Sequence, residues 1–273
     1  MMHLSRIATL AAGGVTLLAV LTGVSSAASE SIAPEAQQLN DILQRTAGQT
    51  AVFLDQFSDV KCTEQVRQEK LGKDNKVQLK EESTYDYLVI LTNTGGELNL
   101  SESRIPVHEA KKDRKNTSML LSNGFATLFL VFHPIYAGAF KFTLGGQDVI
   151  AGHTVEKVSF QHVAGMKSPA ALALRGREYP LELMGTAWID PDSGSIVRIE
   201  AGIADTLQDV GLKTMSSQID FSPLTFADSK QPYWFPTQAR VEVETPRQHW
   251  RNLHQFTGYK KFSVSTEEKV TQK

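Results

Sequence analysis

His249-Trp250-Arg251-Asn252-Leu253-His254 holds the closest pair of histidines, the residue type most often used to bind metal or move protons. A separation of five residues places the two on opposite sides of a strand and out of line on a helix. A zinc protease needs His-Glu-x-x-His on one helical face, and that run is absent. His153 and His162 have no cysteine or carboxylate at ligand spacing and read as satisfied surface or edge histidines. No Gly-x-Ser-x-Gly elbow, phosphate-binding Gly-Lys-Ser/Thr loop or Gly-x-Gly-x-x-Gly fingerprint occurs, so nothing points to a serine nucleophile or a nucleotide. The paired carboxylates Glu81-Glu82 and Asp190/Asp192 read as a charged strand and a turn. Cys62, the single cysteine, has no neighbouring thiol or histidine and reads as a packed small residue. Neither a catalytic site, a metal nor a cofactor is expected.

What remains is apolar. Residues 119–132, with Ile135, Tyr136 and Phe140 after them, put a large hydrophobic surface in the middle of a chain otherwise rich in strand-forming residues. Such a run is either a core helix capping a sheet or a helix across the mouth of a curved sheet, lining a space for acyl chains. On the second reading Phe125, Leu128, Phe129, Phe132 and Trp188 line the space. A competing reading gives the same fold a filled core and puts the function on a protein-contact surface, with Arg247, Trp250 and Arg251 as anchors, because Trp and Arg dominate contact hot spots.

Several elements must position these residues. Leu39, Ile42, Leu43, Val52, Phe53, Leu54 and Phe57 recur mostly at three- and four-residue steps, predicting an amphipathic helix over 34–57 with Pro34 in its first turn. Residues 61–71 and 77–91 flank Gly72-Lys73-Asp74-Asn75 and predict a long hairpin. More strand texture follows at 98–100 and 104–107, then a solvated basic loop at 111–116. The run 119–132 predicts a helix buried on every side, ended by His133-Pro134. Strands follow at 140–144 and 153–163. In 187–201, two strands flank the Asp-Pro-Asp-Ser-Gly turn 190–194, with Val197, Ile199 and Ala201 facing one way and Ile196, Arg198 and Glu200 the other. Strands are also expected at 213–221, 234–244 and 253–264.

The 273 residues carry 28 basic against 30 acidic side chains, a net charge of -2, without the excess that holds a phosphate backbone. The basic runs at 111–115 and 260–261 lack interleaved aromatics, so no nucleic-acid partner is expected. Arg6 followed by the apolar stretch 7–24 and Ser25-Ser26-Ala27-Ala28 has the form of a cleaved export signal. The expected organisation is a signal peptide over 1–27, one β-rich domain over 28–264 and a polar tail over 265–273, in the periplasm or secreted.

This order of parts, and the hairpin Trp188-Ile-Asp-Pro-Asp-Ser-Gly-Ser-Ile-Val-Arg-Ile-Glu200 above all, resembles the LolA/LolB-type superfamily of periplasmic lipoprotein carriers and lipoprotein-sensing regulators. The resemblance implies a mainly β (α+β) fold: an incomplete antiparallel β-barrel, or half-barrel, with an N-terminal helix and a central apolar helix on its concave face. It also implies a hydrophobic cavity for lipid or the acyl chains of a lipoprotein. Carriers of this family hold their lid with a buried arginine; Arg67 and Arg104 are guesses at its place here, and no residue is carried over for that role. The expected function is non-covalent enclosure of apolar groups by an exported carrier. The alternative is an envelope sensor or interaction module with an envelope protein as partner.

Overall fold

The three- and four-residue repeat of Leu39, Ile42, Leu43, Phe53, Leu54 and Phe57 gives one apolar stripe, and a helix with such a stripe must bury it. The computed structural model describes residues 27–94, 97–107, 125–174, 177–227 and 229–262, and places that stripe on α1 (Ala27–Ser58). Ile42, Leu54 and Phe57 are buried, whereas Val52, also expected in the stripe, is 45% exposed; Thr46 and Thr50 are buried with the stripe, the Thr50 hydroxyl donating to the Thr46 carbonyl at 2.8 Å. The helix starts ahead of the expected Pro34, which it accommodates internally; Ala and Glu upstream are strong helix formers.

The strands form one open antiparallel sheet. In chain order they are β1 (Val60–Leu71), β2 (Val77–Thr94), β3 (Glu97–Pro106), β4 (Phe140–Ile150), β5 (His153–His162), β8 (Leu183–Ile189), β9 (Ile196–Ile203), β10 (Thr214–Leu224), β11 (Tyr233–Glu244) and β12 (His249–Lys261). Between β5 and β8, β6 (Ala171–Leu174) and β7 (Arg177–Pro180) make a separate two-stranded hairpin. The order across the large sheet is β3-β2-β1-β12-β11-β10-β9-β8-β5-β4. Two of the turns are the expected ones. Asn75, at the β1–β2 turn, takes a left-handed φ of 57°. At the β8–β9 turn, Asp190 Oδ1 accepts the amides of Asp192 and Ser193 at 3.0 and 2.8 Å.

α1 touches both β2 and β4, which stand eight places apart in the sheet order, so the helix lies across nearly the whole width of the sheet. The two edge strands β3 and β4 do not pair with each other, so the sheet is open, as the expected incomplete barrel requires. Residues of α1 and of nine of the ten strands, all but the edge strand β3, contribute buried side chains to a single core.

The central apolar segment departs from expectation in form. Phe125–Phe132 is a 3₁₀ helix, followed by the short α2 (Pro134–Ala137), while residues 119–124 and the basic loop 111–116 lie outside the described residues. The i→i+3 bonds of a 3₁₀ helix still pair the backbone of a run that is buried, as a buried main chain requires. Leu128 to Phe132 are all buried, as a run apolar on every side requires.

β12 begins at His249, four residues ahead of the expected start at Leu253, which changes the reading of 247–251. Trp250 is 5% exposed, and the Arg251 guanidinium binds Glu69 on β1 at 2.6 Å. Only Arg247, in the turn before β12, keeps the exposure that a contact anchor needs. Residues 1–26 and 263–273, where most of the expected signal and all of the tail fall, lie outside the described residues. No described helix is long and apolar enough to cross a membrane.

Candidate functional site

α1, the 3₁₀ helix, the β8–β9 turn and the ends of β10 and β11 enclose a cavity of about 410 Å³. Its floor is aromatic. Phe53 of α1 meets Phe129 edge-on with centroids 4.4 Å apart, and Phe221 of β10 stands 6.0 Å from Phe53 in the same manner. Val52, Ile196, Pro232 and Trp234 extend the apolar lining, and Gln49, Gln56, Gln231, Thr50, Ser193 and Ser195 supply its polar part. None of the lining residues carries a charge. Trp234 is braced from behind by His153, whose ring meets it edge-on at 5.5 Å.

The β8–β9 turn can form the wall because of Gly194. Its φ is +74°, and a Cβ there would stand 2.7 Å from the Arg45 carbonyl carbon and 2.8 Å from the Thr46 nitrogen, so the turn packs directly on the backbone of α1. The turn chemistry legible in Asp190-Pro-Asp-Ser-Gly thus positions Ser193 and Ser195 at the cavity.

Of the residues expected to line an acyl site, Phe129 lines this cavity. Leu128 and Phe132 are buried in the adjoining core, Phe132 against Phe142 and Phe160 at 5.3 and 6.0 Å. Phe125 opens the 3₁₀ helix, and its side chain lies outside the described set. Trp188 is on the other side of the sheet: Ala187 and Ile189 point into the core, so the residue between them points out, and its indole N–H donates to Asp148 at 3.1 Å. Phe53, Phe221 and Trp234 were not singled out; for Phe53 the signal was its place in the helical stripe.

A second feature of the concave side is a buried charge cluster. Arg104 on β3 binds Glu64 on β1 at 2.6 and 3.0 Å and Glu102 at 3.1 Å, and His254 Nδ1 on β12 lies 2.8 Å from Glu64. Burial alone would raise the Glu64 carboxyl, but hydrogen bonds from His254 and Arg104 outweigh it and hold the group below the ordinary value. Of the two arginines, Arg104 is buried, whereas Arg67 is half-exposed and paired with Glu69 at 2.9 Å. His249 and His254 lie on opposite faces of β12, as their spacing required. The sequence reads His162 as a satisfied surface or edge histidine. It is instead buried against Phe140, and neither ring nitrogen has a hydrogen-bond partner among the described residues. Among the described residues no three His, Cys, Asp or Glu side chains converge as a metal would need.

The chain is similar to a DUF1329 family protein from Desulfovibrio piger, at 12% identity and a TM-score of 0.38 over 84% of this chain and 99% of that one. It is also similar to an outer membrane lipoprotein-sorting protein domain from Vibrio parahaemolyticus, at 9% identity and a TM-score of 0.37 over 83% of this chain and 94% of that one. No family model and no curated relative matches the chain.

Proposed function

We propose that this protein is an exported, envelope-located carrier that encloses an acyl chain or similar apolar group in the cavity beneath α1. The observation that carries the reading is the lining: an aromatic floor of Phe53, Phe129 and Phe221 with no charged residue around it. The cavity's 410 Å³ is within the range of about 300–1,000 Å³ that small-molecule sites occupy. Burying an acyl chain gains about 0.8 kcal/mol per methylene, so capture needs no ionic partner. The amides and hydroxyls of Gln49, Gln56, Gln231 and Ser195 suit the ester or amide end of such a ligand. The competing reading of an interaction module anchored at 247–251 loses two of its three anchors, since Trp250 is packed and Arg251 is tied to Glu69.

The test is native mass spectrometry of the protein purified from its own envelope without detergent, followed by solvent extraction and lipid analysis. Co-purifying lipid or acylated peptide is expected. It should be lost in Val52→Asp, which charges the cavity at a position 45% exposed and so leaves the core intact. A clean apo mass that persists after incubation with lipid vesicles would overturn the proposal.

A further inference from the structure

The face of the large sheet turned away from α1 is organised by register. On β1, β12, β11, β10, β9 and β8 in turn, Gln65, Gln255, Gln238, Asp220, Arg198 and Trp188 are each the direct cross-strand partner of the next, forming one unbroken row across six strands. A second row runs beside it through Arg67, Leu253, Arg240, Gln218, Glu200 and Thr186 on the same strands. Members of both rows line a trough of about 740 Å³, continued over β8 to β11 by a second depression of about 420 Å³. Leu253 is the one aliphatic side chain in the twelve.

The chemistry of the rows selects among ligands. Each arginine is paired with a carboxylate: Arg198 with Asp220, Arg240 with Glu242 at 2.5 Å and Arg67 at 2.9 Å with Glu69, which Arg251 shares. That leaves no one-signed field to attract a polyanion or a polycation. The absence of an apolar stripe removes a lipid or an amphipathic helix as occupant. Gln238 and Gln218 each donate one amide hydrogen to Asp220 Oδ2, at 2.7 and 3.2 Å. These bonds fix both amide planes and leave each amide a carbonyl oxygen and a second N–H, a donor and an acceptor side by side, as vicinal hydroxyls require. Successive rungs repeat at about 4.8 Å, close to the advance of one sugar residue in an extended chain. At the β8 end the row finishes on the Trp188 ring, oriented by Asp148 and by the Arg198 guanidinium 5.9 Å from its centroid.

We propose that this ladder binds an extended, uncharged glycan lying across the strands, with glutamine amides reading its hydroxyls and Trp188 meeting a sugar face. The site is on the opposite side of the sheet from the acyl cavity and stands or falls independently of it.

Affinity electrophoresis of the full-length mature protein through gels containing hydroxyethylcellulose, glucomannan or dextran tests this, with dextran sulfate as the charged counterpart. Retardation by at least one neutral polymer is expected, unchanged by added salt. The double variant Gln65→Ala/Gln238→Ala should weaken it by about tenfold, the effect of losing two or so modest hydrogen bonds. Both positions are exposed, and an unchanged melting curve checks that the variant is folded. Three results would overturn the proposal: no retardation by any neutral polymer, retardation by dextran sulfate alone that salt abolishes, or undiminished binding by the folded double variant.

Discussion

Arg104 on β3 reaches over the ring of Tyr87 on β2 to bind Glu64 on β1, with its guanidinium carbon 5.1 Å from the ring centroid and its nitrogens 2.6 and 3.0 Å from the two carboxylate oxygens. The bond ties the edge strand β3 to β1, the third strand in, across the strand between them. Substituting Arg104→Met leaves Glu64 and Glu102 as buried charges beside each other, and unfolding in urea should show a loss of about 3–5 kcal/mol. Arg67→Ala, at the half-exposed partner of Glu69, should cost under about 1 kcal/mol in the same assay.

Acid should unlock the same cluster. The Glu64 carboxyl is held below its ordinary value, so the stability it contributes is complete above the unfolded value of about 4.3 and is lost as pH falls through the lower folded value. Urea midpoints measured from neutral pH downward should stay level until that region and then fall. In Glu64→Gln the fall should be shallower, from a lower starting stability.

Cys62 should be silent to thiol reagents. Burial pushes its thiol up to about 12, and the side chain is 3% exposed. A chromogenic disulfide reagent at mildly alkaline pH should therefore find no reactive thiol in the folded protein and one per chain in urea. Reaction of the native protein at a rate comparable to the unfolded one would contradict the burial.

Gly194→Ala tests the cavity wall. A non-glycine residue in the left-handed region costs about 1–2 kcal/mol, and the added Cβ must also push the turn off the α1 backbone at Arg45 and Thr46. Differential scanning calorimetry should show a clear drop in Tm. If the acyl reading holds, lipid content should fall as well, because Ser193 and Ser195 move with the turn.

Local periodicity made much of this fold legible. The α1 stripe, the Gly72–Asn75 turn and the Asp190–Gly194 turn each rest on residues within a few positions of one another, so the chain states them directly. Phe129 was identifiable because a run apolar on every side has to be enclosed. Trp188 was misplaced because size says that a side chain should be covered but not which side of the sheet is covered. That is set by the core, in which Ala187 and Ile189 on either side of Trp188 are fully buried. The two feature sets that sequence reasoning missed share one cause. Glu64 and His254 are 190 positions apart, and Gln65, Gln238 and Gln255 become neighbours only through the registers of β1 with β12 and of β11 with β12. No spacing rule reaches across pairings of that range.

The position of β12 beside β1 sets the order in which the protein can be made. The seam that joins β1–β3 to the rest of the sheet pairs the first strand with the last, so while the chain emerges from its N-terminus, β1 exposes one bare edge and β11 later exposes another. Both edges wait for the same thirteen residues, His249–Lys261. Unpaired strand edges invite pairing with other chains, and long-range closure is slow. A protein built this way is best kept unfolded until synthesis is complete. A truncation within β12 would therefore be expected to give insoluble aggregates, two half-sheets with open edges, rather than a smaller folded domain.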